Sequence, residues 1–159
     1  MDLTIRDARS DDAPNLAAYN AAMAAETEGK TLDPGCVGPG VEALLADVSL
    51  GRYWVAEDGG NVVGQLMVTY EWSDWRNGTI WWIQSVYVHP DWRRQGIFSA
   101  LYRHVESLAA ATPGVIGLRL YVDAGNTRAQ QTYVTLGMVK SDYRVMETLF
   151  AESPNDSET

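Results

Sequence analysis

The sequence predicts a single α/β domain, a mixed and largely antiparallel sheet with flanking helices, and three observations carry that prediction. Strand-like runs alternate with helical patterns from Leu3 to Leu149, with no repeat or linker between them. The middle of the chain reads as a meander, because Tyr53–Ala56, Val62–Val68 and Thr79–Val88 are rich in β-branched and aromatic residues and are separated by turn residues. The third run leads through a glycine turn and an apolar helical pattern into another strand-like run, Val115–Val122, and a strand–helix–strand crossover joins parallel neighbours. A length of 159 residues, 46% hydrophobic and 21% charged, fits one ordinary core, so no second domain is expected.

Each element has a local reason. Leu3 to Ala8 alternates as a strand, and Ser10-Asp11-Asp12 caps a helix in which Pro14 suits the first turn and Leu16, Tyr19, Asn20 and Met23 recur at helical spacing. Thr27 to Gly40, rich in Gly and Pro, reads as a loop. A second helix over Pro39–Leu50 puts Val41, Leu44, Leu45 and Val48 on one face. Asp58-Gly59-Gly60-Asn61 is a hairpin turn, and Ser73–Gly78 makes the next one. Ile97, Leu101, Val105 and Leu108 mark the buried stripe of a helix that ends before Pro113. Asn126 opens another helix that closes at Gly137, and Val139–Leu149 supplies a last strand or bent strand pair. The domain is expected to occupy residues 1–150. Residues 151–159, with Glu152, Asp156 and Glu158 and no apolar period, read as a frayed acidic tail.

Charge and composition exclude several classes. A net charge of −9 argues against nucleic acid, which is bound by clustered Lys and Arg, and favours cationic or amine partners. No apolar run approaches the roughly 20 residues of a membrane span, and no basic-then-apolar leader is present, so a cytoplasmic location is expected. Cys36 is the sole cysteine and reads as a small loop residue in a reducing compartment. His89, before a proline, and His104, off the apolar stripe of its helix, read as surface residues. With one Cys and two His, no zinc site or Cys–His nucleophile is supported, and no metal is expected.

The chemistry concentrates in Val88–Leu101, VHPDWRRQGIFSAL. A turn that opens directly into a helix leaves backbone N–H groups without partners at the positive end of the helix dipole, a seat for a phosphorylated ligand. Arg93, Arg94 and the amides of Gln95, Gly96, Ile97, Phe98 and Ser99 make a set of donors, and Gly96 lets the backbone approach closely. On this segment alone, a plain helix cap is the competing reading. The second constellation is Asn126–Met138, where Asn126, Ala129 and Tyr133 recur near helical spacing. Asn126 can cap the helix or bind a ligand amide, and Tyr133 can be a core aromatic or a proton donor.

VHPDWRRQGIF resembles the acyl-CoA signature of the GNAT superfamily of N-acetyltransferases, in which Arg or Gln, two variable residues, Gly, one variable residue and Gly or Ala follow in order; Arg93 and Gly96 match it. The series Asn126, Ala129, Tyr133 and Gly137 is similar to the second cofactor motif of that family. The resemblance implies acetyl-CoA as acyl donor, no metal, a splayed parallel strand pair, and a homodimer. It implies the pyrophosphate on the amides of Arg94 to Ser99. It further implies that Val86, Tyr87 and Val88 offer backbone groups to the thioester and pantetheine, that Asn126 contacts the pantetheine arm, and that Tyr133 protonates the departing thiolate. Phe98 departs from the pattern, and it is expected to pack against the sheet while its amide still donates.

The remaining roles rest on residue type. Glu71, at a strand end, is the expected general base, with Asp74, Glu26 and Glu28 as alternatives and a water chain as the competing account. Tyr70, Trp72, Trp75, Trp81, Trp82 and Tyr87 divide between core packing and an aromatic surface able to hold an amine by cation–π contact. With Glu26, Glu28, Asp33 and Asp74, they suggest a small cationic substrate bearing a primary amine. A non-catalytic acyl-CoA-binding regulatory module and a peptide or protein amine acceptor remain as alternatives.

Overall fold

The computed structural model describes residues 1–150 and Asn155. The expected acidic tail otherwise lies outside the described residues; the Asn155 side-chain oxygen accepts a hydrogen bond from the Asp33 N–H (2.7 Å). The chain folds as β1 (Leu3–Asp7), α1 (Ala13–Glu28), α2 (Pro34–Ala46), β2 (Arg52–Asp58), β3 (Asn61–Ser73), β4 (Gly78–Val88), α3 (Ile97–Ala111), β5 (Val115–Leu120) and α4 (Thr127–Thr135). The sheet has the order β1-β2-β3-β4-β5, antiparallel except for the parallel pair β4–β5.

Both faces of the central strands are buried, which is why Tyr53-Trp54-Val55-Ala56 reads as a continuous apolar run rather than an alternating one. Trp54, Ala56, Leu66, Val68, Trp81 and Ile83 meet the apolar stripe of α3, from Ile97 through Leu101 and Val105 to Ala109. Tyr53 and Val55 meet Ala13 and Leu16 of α1 and Val41 and Leu44 of α2 on the other side. Gly64 matters to this packing: a Cβ there would come within 3.1 Å of the Ile97 side chain, so the glycine lets the start of α3 sit on the sheet beside the end of β4.

Three expectations are corrected. The loop between α1 and α2 is only Gly29–Asp33. Gly29 stops α1 in a left-handed conformation (φ 63°), and Asp33 caps α2 by accepting from the Gly35 N–H (2.9 Å), with Pro34 in the first turn. The helix therefore starts before Pro39, which sits inside it and forgoes one backbone bond. Strand β3 continues to Ser73, so Tyr70, Glu71 and Trp72 belong to it. The run Val139–Leu149 forms no strand: strand-like composition is only half of a strand, and this segment takes no ladder partner among the described residues. Its apolar side chains, Val139, Tyr143, Val145, Met146 and Leu149, are exposed. No described helix is long and apolar enough to cross a membrane.

Candidate active site

The parallel pairing of β4 with β5 ends at Ile83 and Leu120, and β4 runs on to Val88 with no strand on that side among the described residues. The direction of its backbone groups follows from the ladder. The His89 N–H donates to the Val63 carbonyl (2.9 Å), and Gly64 stands opposite Val88 and Gln65 opposite Tyr87. Groups alternate along a strand, so Tyr87 faces β3 and the Val88 N–H and C=O face the open side. The Val88 carbonyl is already taken there by Arg93 Nε (2.9 Å). Between Gln65 and Met67 the register slips, placing Ser85 and Val86 opposite Leu66 alone. This bulge carries Ser85 at φ 51°.

Beyond β4, a short 3₁₀ turn (Pro90–Trp92) leads to Gly96, which adopts φ 81° as the N-cap of α3. The first helical bond is Ala100 N–H to the Gly96 carbonyl, and the amides from Arg94 to Ser99 have no partner among the described residues. A Cβ on Gly96 would stand in open space and in a backbone conformation that disfavours side chains. Arg94 also sits at φ 63°, exposed and with no ion-pair partner among the described residues. These orphan amides fit a pyrophosphate well, since they are aimed, dipole-assisted and unspent.

Arg93 behaves differently from its expected part in that donor set. Its guanidinium turns back to Glu26 Oε2 (2.7 Å) and lies 5.3 Å from the centre of the Tyr87 ring. The Tyr87 hydroxyl donates to Glu26 Oε1 (2.8 Å). Arg93 first and Tyr87 second hold the Glu26 carboxyl below its ordinary range, while burial, then Glu26, pushes the Tyr87 hydroxyl up. Glu26 thus ties α1 to the turn and has no oxygen left unengaged for a cationic substrate.

Tyr133 lies on α4, partly buried, its ring edge-on to Phe98 of the first α3 turn at 5.7 Å between centres. Phe98 packs against the core cluster as expected, and it also supports Tyr133, which the sequence did not indicate. Burial raises the Tyr133 hydroxyl above the ordinary tyrosine value, and no hydrogen bond engages it among the described residues. Asn126 caps α4 through its side-chain oxygen, accepting from the Ala129 N–H (3.1 Å), which leaves its amide NH₂ for a ligand. A hollow of about 390 Å³ lies between Ser99 and the α4 residues Arg128, Gln131, Thr132 and Thr135.

The expected base and substrate residues are not gathered in one place. Glu71 stands opposite Ile80, with Oε2 held by Arg119 at 2.6 Å; Trp82 stacks on Tyr121 (4.5 Å) nearby, with Trp82 opposite Arg119. Tyr70 is on the other sheet face against Trp81, whose ring packs on Trp54. Trp72 and Trp75 are exposed, Asp74 caps the Trp75 N–H, and Glu28 lies 3.9 Å from Lys30. From the Tyr70–Trp81 level to Tyr87 is about 20 Å along β4, so Glu26 cannot share a small pocket with Tyr70, Trp72 and Asp74. A second hollow of about 680 Å³, lined by Arg6, Asp12, Tyr19, Glu57, His89 and Trp92, lies away from the open side of β4, and Arg6 there is already paired with Asp12 and Glu57. Sequence reasoning missed Arg119 and the buried Gln65, whose signal was one polar residue inside an apolar strand.

The comparisons with known proteins point to one family. The profile of the acetyltransferase (GNAT) family matches residues 17–138. The chain is 44% identical to a possible acetyltransferase from Clostridium difficile 630, over 94% of this chain and 99% of that one, with a TM-score of 0.89. It shares its fold with a ribosomal-protein-alanine N-acetyltransferase from Brucella melitensis biovar Abortus 2308 (20% identity, 94% and 99% covered, TM-score 0.73). An aminoglycoside acetyltransferase from an uncultured soil metagenomic sample shares it too (17%, 94% and 97%, TM-score 0.75). No curated protein matches the chain. With the profile covering most of the domain and the orphan amides where the family signature falls, the chain belongs to the acetyltransferase (GNAT) family.

Proposed function

We propose that the protein is an acetyl-CoA-dependent N-acetyltransferase acting on the primary amine of a small cationic molecule. The observation that carries this reading is the run of unpartnered amides from Arg94 to Ser99, set between the open side of β4 and the half-buried Tyr133.

Acetyl-CoA, when bound, supplies an acetyl group activated as a thioester. The amides of Arg94, Gln95, Gly96, Ile97, Phe98 and Ser99 hold its pyrophosphate, and Arg93 stiffens the turn through Glu26 and the Val88 carbonyl. The N–H of Val86 polarises the thioester carbonyl, and that of Val88, with the Asn126 side chain, aligns the pantetheine arm. The acceptor nitrogen forms a bond to the acetyl carbon as the carbon–sulfur bond breaks, and Tyr133 gives its proton to the leaving sulfur. Its raised pKa suits that task, because the phenol stays protonated at neutral pH.

Glu71 is the proposed proton acceptor, through the Oε1 that Arg119 leaves free. Ile80, opposite Glu71, lies about 13 Å along β4 from Gln84, where the open side begins, so the proton travels over water. Trp82 and Tyr121 offer the aromatic surface for a cation on that face, in place of Tyr70 and Trp72. The deciding assay measures release of free CoA thiol from acetyl-CoA across a panel of small polyamines, amino compounds and peptides. Release with small amines supports the reading, and none with any amine refutes it. A homodimer is proposed on the family resemblance, and light scattering that reports a monomer overturns it.

A further inference from the structure

We infer that Gln65 is a positioning residue for acyl transfer, holding the peptide between Ser85 and Val86 so that the Val86 N–H points into the open side of β4. This rests on the acetyltransferase reading for its kinetic consequence but not for its structural one.

Gln65 is the anomaly of the core. It is completely buried in the central strand β3, beside Val55 on β2, where an aliphatic side chain would fill the space. Its Nε2 donates to the Ser85 carbonyl (3.0 Å) and to Asn20 Oδ1 (2.8 Å), and Asn20 in turn donates to the Tyr53 hydroxyl (3.1 Å). Its own Oε1 is buried with no partner among the described residues. An orphan oxygen of this kind destabilises the fold, so the amide is poorly explained by stability alone. The orientation of the amide is fixed by chemistry: the Ser85 carbonyl can only accept, so the nitrogen must face it.

The consequence lies in the peptide plane. In a trans peptide the carbonyl of one residue and the N–H of the next point in opposite directions, and no cis peptide occurs among the described residues. Drawing the Ser85 carbonyl toward Gln65 therefore turns the Val86 N–H away from it. The same rule is visible three residues on, where the His89 N–H points to Val63 and the Val88 carbonyl points outward to Arg93. At Ser85 the ladder gives no such control, because the bulge has removed its cross-strand partner and left a serine in the left-handed region. Gln65 supplies that control from α1 through Asn20. It touches no reacting atom; it sets the direction of one that does.

The test uses Gln65→Met, which keeps the shape and loses the donor, and Gln65→Leu, which also loses it and brings no group that could take up a proton and donate in its place. In the ligand-free protein, the backbone chemical shifts of Ser85 should leave the left-handed pattern, and those of Val86 should move with them, in both variants. In turnover, kcat should fall about 10- to 100-fold, as for a donor turned away from a developing charge. The dissociation constant for CoA should stay within about twofold, since the amides of Arg94 to Ser99 are untouched. Unchanged Ser85 and Val86 shifts in a folded variant overturn the inference whatever the protein catalyses. A lower melting temperature with unchanged kcat overturns it too, as does parallel loss of kcat and CoA affinity. If the wild type acetylates no amine, the acetyltransferase reading fails, and the shifts alone decide the role of Gln65.

Discussion

Tyr133→Phe isolates one O–H bond. The ring of Tyr133 is held edge-on by Phe98, and phenylalanine keeps that contact; the hydroxyl has no partner among the described residues, so its removal strands no donor or acceptor. Stability should change by under about 1 kcal/mol. Binding of CoA should also be preserved, because the phosphate seat is made of backbone amides from Arg94 to Ser99. What is lost is protonation of the leaving thiolate, a general-acid contribution of about 10² to 10⁴ in rate, or about 2.7–5.5 kcal/mol of barrier. The sign of the pH dependence follows from burial: the hydroxyl pKa is raised, so the proton is retained through neutrality and its loss slows the wild type only at strongly alkaline pH. The assay is thiol release at saturating acetyl-CoA and amine, with CoA affinity measured by calorimetry on the same samples. Turnover within about threefold of wild type would remove Tyr133 from the acid role.

The other outcomes test separate parts of the site. Gly96→Glu should abolish CoA binding in calorimetry, because it adds a carboxylate beside the orphan amides and strains a backbone at φ 81°; normal affinity would displace the pyrophosphate from this turn. Glu71→Gln keeps an oxygen for Arg119 but cannot take a proton, so kcat should drop about 10²-fold or more in the thiol assay; an unchanged kcat moves the base elsewhere. Asp12, nearly buried, has its carboxyl held below the ordinary range mainly by the Arg6 hydrogen bond, so its stabilising effect is present at neutral pH and lost as pH falls through that lowered value. Asp12→Asn should reduce stability by about 1–3 kcal/mol at pH 7 and flatten that acid limb, as read by urea unfolding at several pH values.

The order of elements was legible because it is written in local signals: the helical stripe Ile97–Leu101–Val105, the turn at Asp58–Asn61, and a glycine that must take positive φ at 96. Errors arose wherever partner choice decided. Nothing local told that Asp33, rather than a residue nearer Pro39, caps α2, since a Gly- and Pro-rich stretch looks like a loop until the cap bond to Gly35 is seen. The run Val139–Leu149 has strand-like composition, yet a ladder depends on an edge elsewhere in the chain. Side-chain commitments were equally hidden. Glu26 looked like a free acidic group for a cationic substrate, but β4 brings Tyr87 and the turn brings Arg93 to it across more than sixty residues of sequence, and both its oxygens are used. Phe98 reverses the case. It is the departure from the family pattern, yet it lies against the residue the pattern names as acid, so here the exception in the cofactor turn and the placing of Tyr133 are one feature of the packing.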